Sequence, residues 1–192
     1  AVLSSSWTST GGHVVGLAPT ATAAAVLSED IGSTADTVDK LVWCVQLVRE
    51  KEAVAAAERE GRQYPHSQRF AAHDIEDLPD WFWKIGPDSM LIVDEAGMVG
   101  TGNLDELIAF ANGKGAAVRL VGDDRQLASI SAGGVLRDLA HQHGALTLSQ
   151  VMRFTDPAEG AASLALRDGD SAALGFYADH DRIHVGHDHA AA

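Results

Sequence analysis

Met90, Leu91, Ile92 and Val93 run straight into two adjacent carboxylates, Asp94 and Glu95, with Ala96 and Gly97 behind them. An apolar run this short, with no alternation, suits a strand buried on both faces, as in a parallel sheet. Such a strand delivers the residues after it to the carboxyl edge of the sheet, where open α/β folds bind ligands. The two acids are therefore candidates for chemistry. The alternative is a strand ending in a solvated acidic turn.

The other segments repeat the pattern. His13 to Ala18 is a short apolar strand after the Gly11-Gly12 turn and before Pro19. Thr20 or Thr22 caps an Ala-rich helix that Gly32 ends. Asp36 or Thr37 opens a second helix, with Val38, Leu41, Val42, Val45 and Val48 at helical spacing and a solvated continuation over 50–61. Residues 64–87 hold three prolines and the Trp81-Phe82-Trp83 cluster without a period. Leu104, Leu107, Ile108 and Ala111 mark a helix ended by Gly113, and 116–121 form the next strand. A helix over 135–143 stops at Gly144, and 145–148 read as a fourth strand. Two short amphipathic helices follow Pro157, then a strand-like 182–185 segment and a His-rich tail. Strand and helix alternate, so the expected fold is α/β, a parallel sheet with helices on both faces.

Composition narrows the function. At 192 residues, 46% of them hydrophobic, the chain has enough apolar side chains for a real core. Its 27 acidic against 14 basic residues, a net charge of −13, argue against a protein that coats DNA through many Lys and Arg contacts. A narrow grip on a single strand remains compatible with that charge. Cys44 is the sole cysteine, so no internal disulfide forms and a reducing, cytoplasmic setting fits. No signal peptide or span of about 20 apolar residues stands in the sequence.

Three strand ends carry polar groups suited to one task. Asp94 and Glu95 follow one strand, Gly122-Asp123-Asp124-Arg125-Gln126 another, and Gln150 to Arg153 the last. Parallel strands point their carboxyl ends the same way, so these groups gather on one rim. Phosphoryl transfer needs such a set: a carboxylate for Mg²⁺ (Asp94), a base that polarises water (Glu95), an amide that senses the γ-phosphate and a guanidinium for developing charge, which Arg153 suits.

These segments resemble the motifs of superfamily 1 helicases. The stretch from Leu17 through Pro19, Thr20 and Thr22 to Ala24 looks like motif Ia, and Val93 to Val99 looks like Walker B. Gly122 to Leu127 is similar to motif III and Leu148 to Arg153 to motif IV. Together with the segment from Ala132-Gly133-Gly134 to Leu139, they resemble the RecD-like helicase region of conjugative relaxases of the TraI/TrwC/TraA (MobF) kind over residues 10–155.

That resemblance implies a RecA-like P-loop NTPase core using ATP and Mg²⁺. Asp94 would bind Mg²⁺, Glu95 would be the catalytic base, and Gln126 and Arg153 would meet the γ-phosphate, with Gly122 and Asp123 in the same pocket. Pro19, Thr20 and Thr22 would touch the backbone of single-stranded DNA. It also implies 1–155 as a partial helicase domain and 156–192 as the start of a linker or second domain with a flexible tail.

The phosphate cradle Gly-x-x-x-x-Gly-Lys-Ser/Thr does not occur. The sole Gly-Lys, Gly113-Lys114, is followed by Gly115, and Ile108 stands where the first Gly belongs. On the resemblance, the P-loop strand lies upstream of residue 1, and residues 1–12 are the end of the helix after it. The expectations are a fragment inactive by itself and a sheet with a gap or open edge that invites self-association, with the rest of the helicase polypeptide as partner. Two alternatives stand beside it: a stand-alone RecD-like repair helicase of the exonuclease V alpha type, and a non-enzymatic DNA-binding module from a decayed gene.

Smaller features receive plainer readings. Asp124 is a solvated loop acid and the run from Arg49 to Arg59 a solvated helix face. Trp81 and Trp83 belong to a core or flap rather than a base-stacking platform. His184, His187 and His189 are a tail rather than a Zn²⁺ site.

Overall fold

The computed structural model describes residues 2–64, 70, 72–123, 135–148 and 154–184. The chain divides into two compact units, Ala1–His143 and Gly144–Ala192. The first holds a four-stranded sheet in the order β2-β1-β3-β4, every neighbouring pair parallel. Strand β1 is His13–Ala18, β2 Ala35–Thr37, β3 Ser89–Val93 and β4 Ala117–Leu120. The α/β expectation holds. No strand is missing from within the described sheet; β4 pairs only with β3, so its far side is an edge.

Burial explains why these segments became strands. Strand β3 is buried at every residue and β1 at every residue after His13, so each needs cover on both faces. One face packs Val15, Leu17, Leu91 and Val93 against α3 (Val38–Arg59) and α5 (Thr101–Lys114). The other packs Val14, Ala18, Met90 and Ile92 against α2 (Ala21–Ile31), with Trp7 of α1 (Val2–Ser9) at its margin. Residues expected to end a helix before the first strand do form one, α1.

Capping chemistry sets the helix starts. The Thr20 hydroxyl accepts from the Ala23 amide, and Thr37 caps α3 through Lys40 in the same way. Helix α2 stops at Gly32, as expected. Helix α5 runs past Gly113 to Lys114, because Gly115 is the residue that adopts the left-handed terminating conformation. In α3 the buried face is wider than the Val/Leu stripe, since Cys44 and Leu47 are also fully buried.

Strand β2 was not expected. It exists because β1 comes close to it: a Cβ at Gly16 would lie 2.8 Å from the Ala35 Cβ and 2.8 Å from Leu27 Cδ2. Only glycine lets β1 lie against both β2 and α2. The expected strand at 145–148 is irregular instead, with Leu146 (104% exposed) and Leu148 (96%) in solvent. Alternating leucines do not make a strand without a neighbour to receive their backbone groups. Of the strand-like 182–185 segment, 182–184 are likewise irregular, and Val185 lies outside the described residues.

Within 64–87, a short helix α4 (Asp80–Trp83) buries Trp81 and Phe82. The Phe82 ring stacks on Phe110 of α5 at 5.3 Å, which makes this cluster part of the core, as read from the sequence. Trp83 is half-exposed. Helix α6 (Val135–His143) ends at Gly144. The second unit contains α7 (Pro157–Arg167) and α8 (Leu174–Asp179), the two helices expected there, and the Arg182 guanidinium pairs with Glu159 of α7. Among the described residues no helix is long and apolar enough to cross a membrane.

Candidate functional site at the carboxyl edge of the sheet

All four strands point the same way, so the turns after β1, β3 and β4 leave the sheet at one rim. After β1, Pro19 is half-buried while Thr20 and Thr22 are exposed in the opening of α2. That first turn carries no acidic side chain, so its outward amides form an anion-friendly surface.

After β3, the Asp94 amide continues the sheet by donating to the Leu17 carbonyl at 2.8 Å. Asp94 is half-buried and Glu95 exposed. Glu95 stands in the left-handed region, with φ 49° and ψ 40°. A non-glycine residue pays for that conformation, and such residues cluster at functional sites. The turn is pinned from both sides: the Ala96 amide donates to the Val121 carbonyl (2.9 Å) and the Val121 amide to the Val93 carbonyl (2.8 Å).

After β4, Gly122 backs this turn. A Cβ there would lie 3.2 Å from the Ala96 amide nitrogen and 3.0 Å from Leu136 Cδ2 of α6. Any side chain would push β4 away from the Asp94–Glu95 turn. The Asp123 carbonyl would lie 3.7 Å from a Cβ on Gly97, so Gly122 and Asp123 sit directly against the residues after the acids.

Thus Pro19, Thr20, Thr22, Asp94, Glu95, Gly122 and Asp123 share one rim, and the last four lie on touching turns. Gln126 and Arg153, with Asp124, Arg125 and the histidines at 187 and 189, lie outside the described residues. Among the described residues no three His, Cys, Asp or Glu side chains group as metal ligands, and His184 is exposed. One or two carboxylates at Asp94–Glu95 still fit Mg²⁺, which completes its shell with water and phosphate oxygens.

The sequence pattern did not single out a cleft of about 280 Å³ beside Pro19, lined also by Val38, Asp39, Met98, Val99 and Asn103. The signal lay in the chain, since Asp39 follows the Thr37 cap. Without β2 in view, nothing put α3's first turn at this rim. Away from the rim, Arg49 and Gln46 of α3 both reach Glu106 of α5, so this part of the charged run is an interhelix contact rather than a purely solvated face. The buried Cys44 thiol has its pKa pushed up from 9.0 to about 11, chiefly by desolvation.

A family model described as an AAA domain matches residues 1–188. A conjugal transfer protein TraA from Rhizobium radiobacter is 36% identical over 107 residues, covering 53% of this chain and 10% of that protein. The chain therefore spans about a tenth of the length of this relative. Both findings agree with the resemblance read from the motifs. With a parallel sheet whose strand ends gather on one rim, and a match over nearly its whole length, the chain belongs to the AAA domain family.

Proposed function

We propose that this chain is part of the ATP-dependent 5′–3′ DNA motor of a conjugative relaxase-helicase. The reading rests above all on one observation: the Asp94–Glu95 turn is hydrogen-bonded into β4 and backed by Gly122, on the same rim as the Thr20 helix opening. The TraA likeness favours a relaxase over a stand-alone repair helicase.

Bound Mg·ATP supplies the phosphoanhydride and the metal charge. Asp94, half-buried and anchored by its amide to β1, would hold the ion through its carboxylate. Glu95, exposed and held in the left-handed region, would accept the proton of the attacking water. On the motif resemblance, Gln126 would contact the γ-phosphate and couple it to DNA, and Arg153 would stabilise charge on the γ-phosphate. Pro19, Thr20 and Thr22 hold the strand's sugar–phosphate backbone through amides and hydroxyls, a grip that a net charge of −13 permits.

These 192 residues contain no Gly-x-x-x-x-Gly-Lys-Ser/Thr and by themselves bind single-stranded DNA without turning over ATP. Two assays test this. Fluorescence anisotropy is expected to show single-strand binding that Thr20→Val weakens. A Mg²⁺-dependent ATPase assay is expected to show no turnover above buffer. Turnover that vanishes in Glu95→Gln would refute the inactivity, and absence of any DNA binding would refute the motor reading. In a longer polypeptide carrying this region, Glu95→Gln is expected to abolish DNA-stimulated hydrolysis.

A further inference from the structure

Hydrogen bonds fasten the Asp94–Glu95 turn to β4, and a leucine of α6 packs against both. A Cβ on Gly122 would lie 3.0 Å from Leu136 Cδ2, and a Cβ on Gly97 would lie 3.7 Å from the same methyl. Neither glycine has a side chain of its own, so this methyl lies directly over both backbones. Leu136 is partly buried and also packs on the main core cluster. It is the second residue of α6, so the start of that helix delivers it to the turn.

Glu95 needs such support. It holds φ 49° and ψ 40°, a conformation that a residue with a Cβ keeps only where its surroundings enforce it. The Ala96 and Val121 amides tie the turn to the sheet through the Val121 and Val93 carbonyls. Gly97 is the weak link, because a glycine has the backbone freedom to let a turn unwind. It sits inside the loop that the Met98 amide closes on the Glu95 carbonyl at 2.8 Å. A displacement of Gly97 breaks that bond and releases Glu95.

We infer that Leu136 is a positioning residue: its methyl clamps Gly97 against Gly122, and the clamp keeps the Glu95 backbone in its left-handed conformation. The inference deepens the motor reading and rests on it for its catalytic purpose. Helix α6 thereby has a direct mechanical link to the proposed base.

Amide hydrogen exchange followed by NMR on the 192-residue chain tests the clamp. Leu136→Ala is expected to speed exchange at Ala96 and Met98 about tenfold, less than the loss of a fully buried leucine would give. The amides of α2 and α3 are expected to keep their rates. Leu136→Val, a smaller cut that serves should the first variant not fold, is expected to speed the same two amides about threefold. Leu136→Met conserves volume and is expected to leave both unchanged. A merely structural role would speed exchange throughout the core alike. That uniform result, or no acceleration at Ala96 and Met98, would overturn the clamp. The catalytic purpose is read in a longer polypeptide carrying this region and a P-loop. There Leu136→Ala is expected to lower kcat for DNA-stimulated hydrolysis about tenfold with KM for ATP unchanged, and Leu136→Met to retain the wild-type rate. An unchanged kcat, or a rise in KM alone, would overturn the positioning role. If the wild-type polypeptide hydrolyses no ATP, the motor reading fails and takes the catalytic purpose with it, while the exchange result still decides the clamp.

Discussion

Replacing Glu95 with glycine should stabilise the fold while removing a proposed catalytic group. Glu95 holds φ 49° and ψ 40°, and its side chain makes no capping bond that would compensate. The left-handed region costs a residue with a Cβ roughly 1–2 kcal/mol. Glycine escapes that cost but adds about 0.5–1 kcal/mol of unfolded-state entropy. The net expectation is a gain of about 0.5–1 kcal/mol, which for a unit of this size raises the melting temperature by about 1–4 °C. Glu95→Ala is the control, because it removes the same carboxylate and keeps the Cβ. Thermal unfolding followed by circular dichroism should place Glu95→Gly above Glu95→Ala, with Glu95→Asn between them, since asparagine tolerates this region. If Glu95→Ala melts at or above Glu95→Gly, the turn is not strained and the argument that strain is tolerated here for chemistry fails.

The packing makes three further perturbations informative. Gly16→Ala forces a methyl to within 2.8 Å of both Ala35 and Leu27, and should destabilise by about 1–3 kcal/mol in denaturant titration; a neutral result would mean β2 is not seated against β1. Thr20→Ala removes the cap on α2 and should cost about 1 kcal/mol, measured in the same way, whereas Thr20→Ser should cost little. The Cys44 thiol holds its proton more tightly folded than unfolded. Its contribution is intact below about pH 9 and declines as pH rises through about 11, a loss on the order of 2–3 kcal/mol. Stability of the native chain should therefore fall more steeply across that interval than that of Cys44→Ala; equal slopes would refute it.

Features that depend on neighbours in the chain were legible in the sequence. Strands β1 and β3 announced themselves as unbroken apolar runs, and α2 and α3 through Thr20, Gly32 and Thr37. Strand β2 did not, because Ala35, Asp36 and Thr37 are half-buried and strand-like only through pairing with β1. The failure at 145–148 is the converse, a strand-like pattern without pairing. The end of α5 moved because either Gly113 or Gly115 could terminate it, and the φ of 71° at Gly115 settles which does. At the rim, Asp94, Glu95, Gly122 and the α2 opening could be found from strand ends. The Asp39–Asn103 pair could not, since it joins residues 64 positions apart, on different helices.

The register of β1 has a consequence for biosynthesis. His13 finds its partner at Ser89, and every rung between these strands joins parts of the chain separated by α2, α3 and the 64–87 segment. While it is being made, the chain must carry Val14, Val15 and Leu17 uncovered on one side until β3 has cleared the ribosome. Such distant pairing delays ordering and leaves apolar surface open to other chains until β3 has been made.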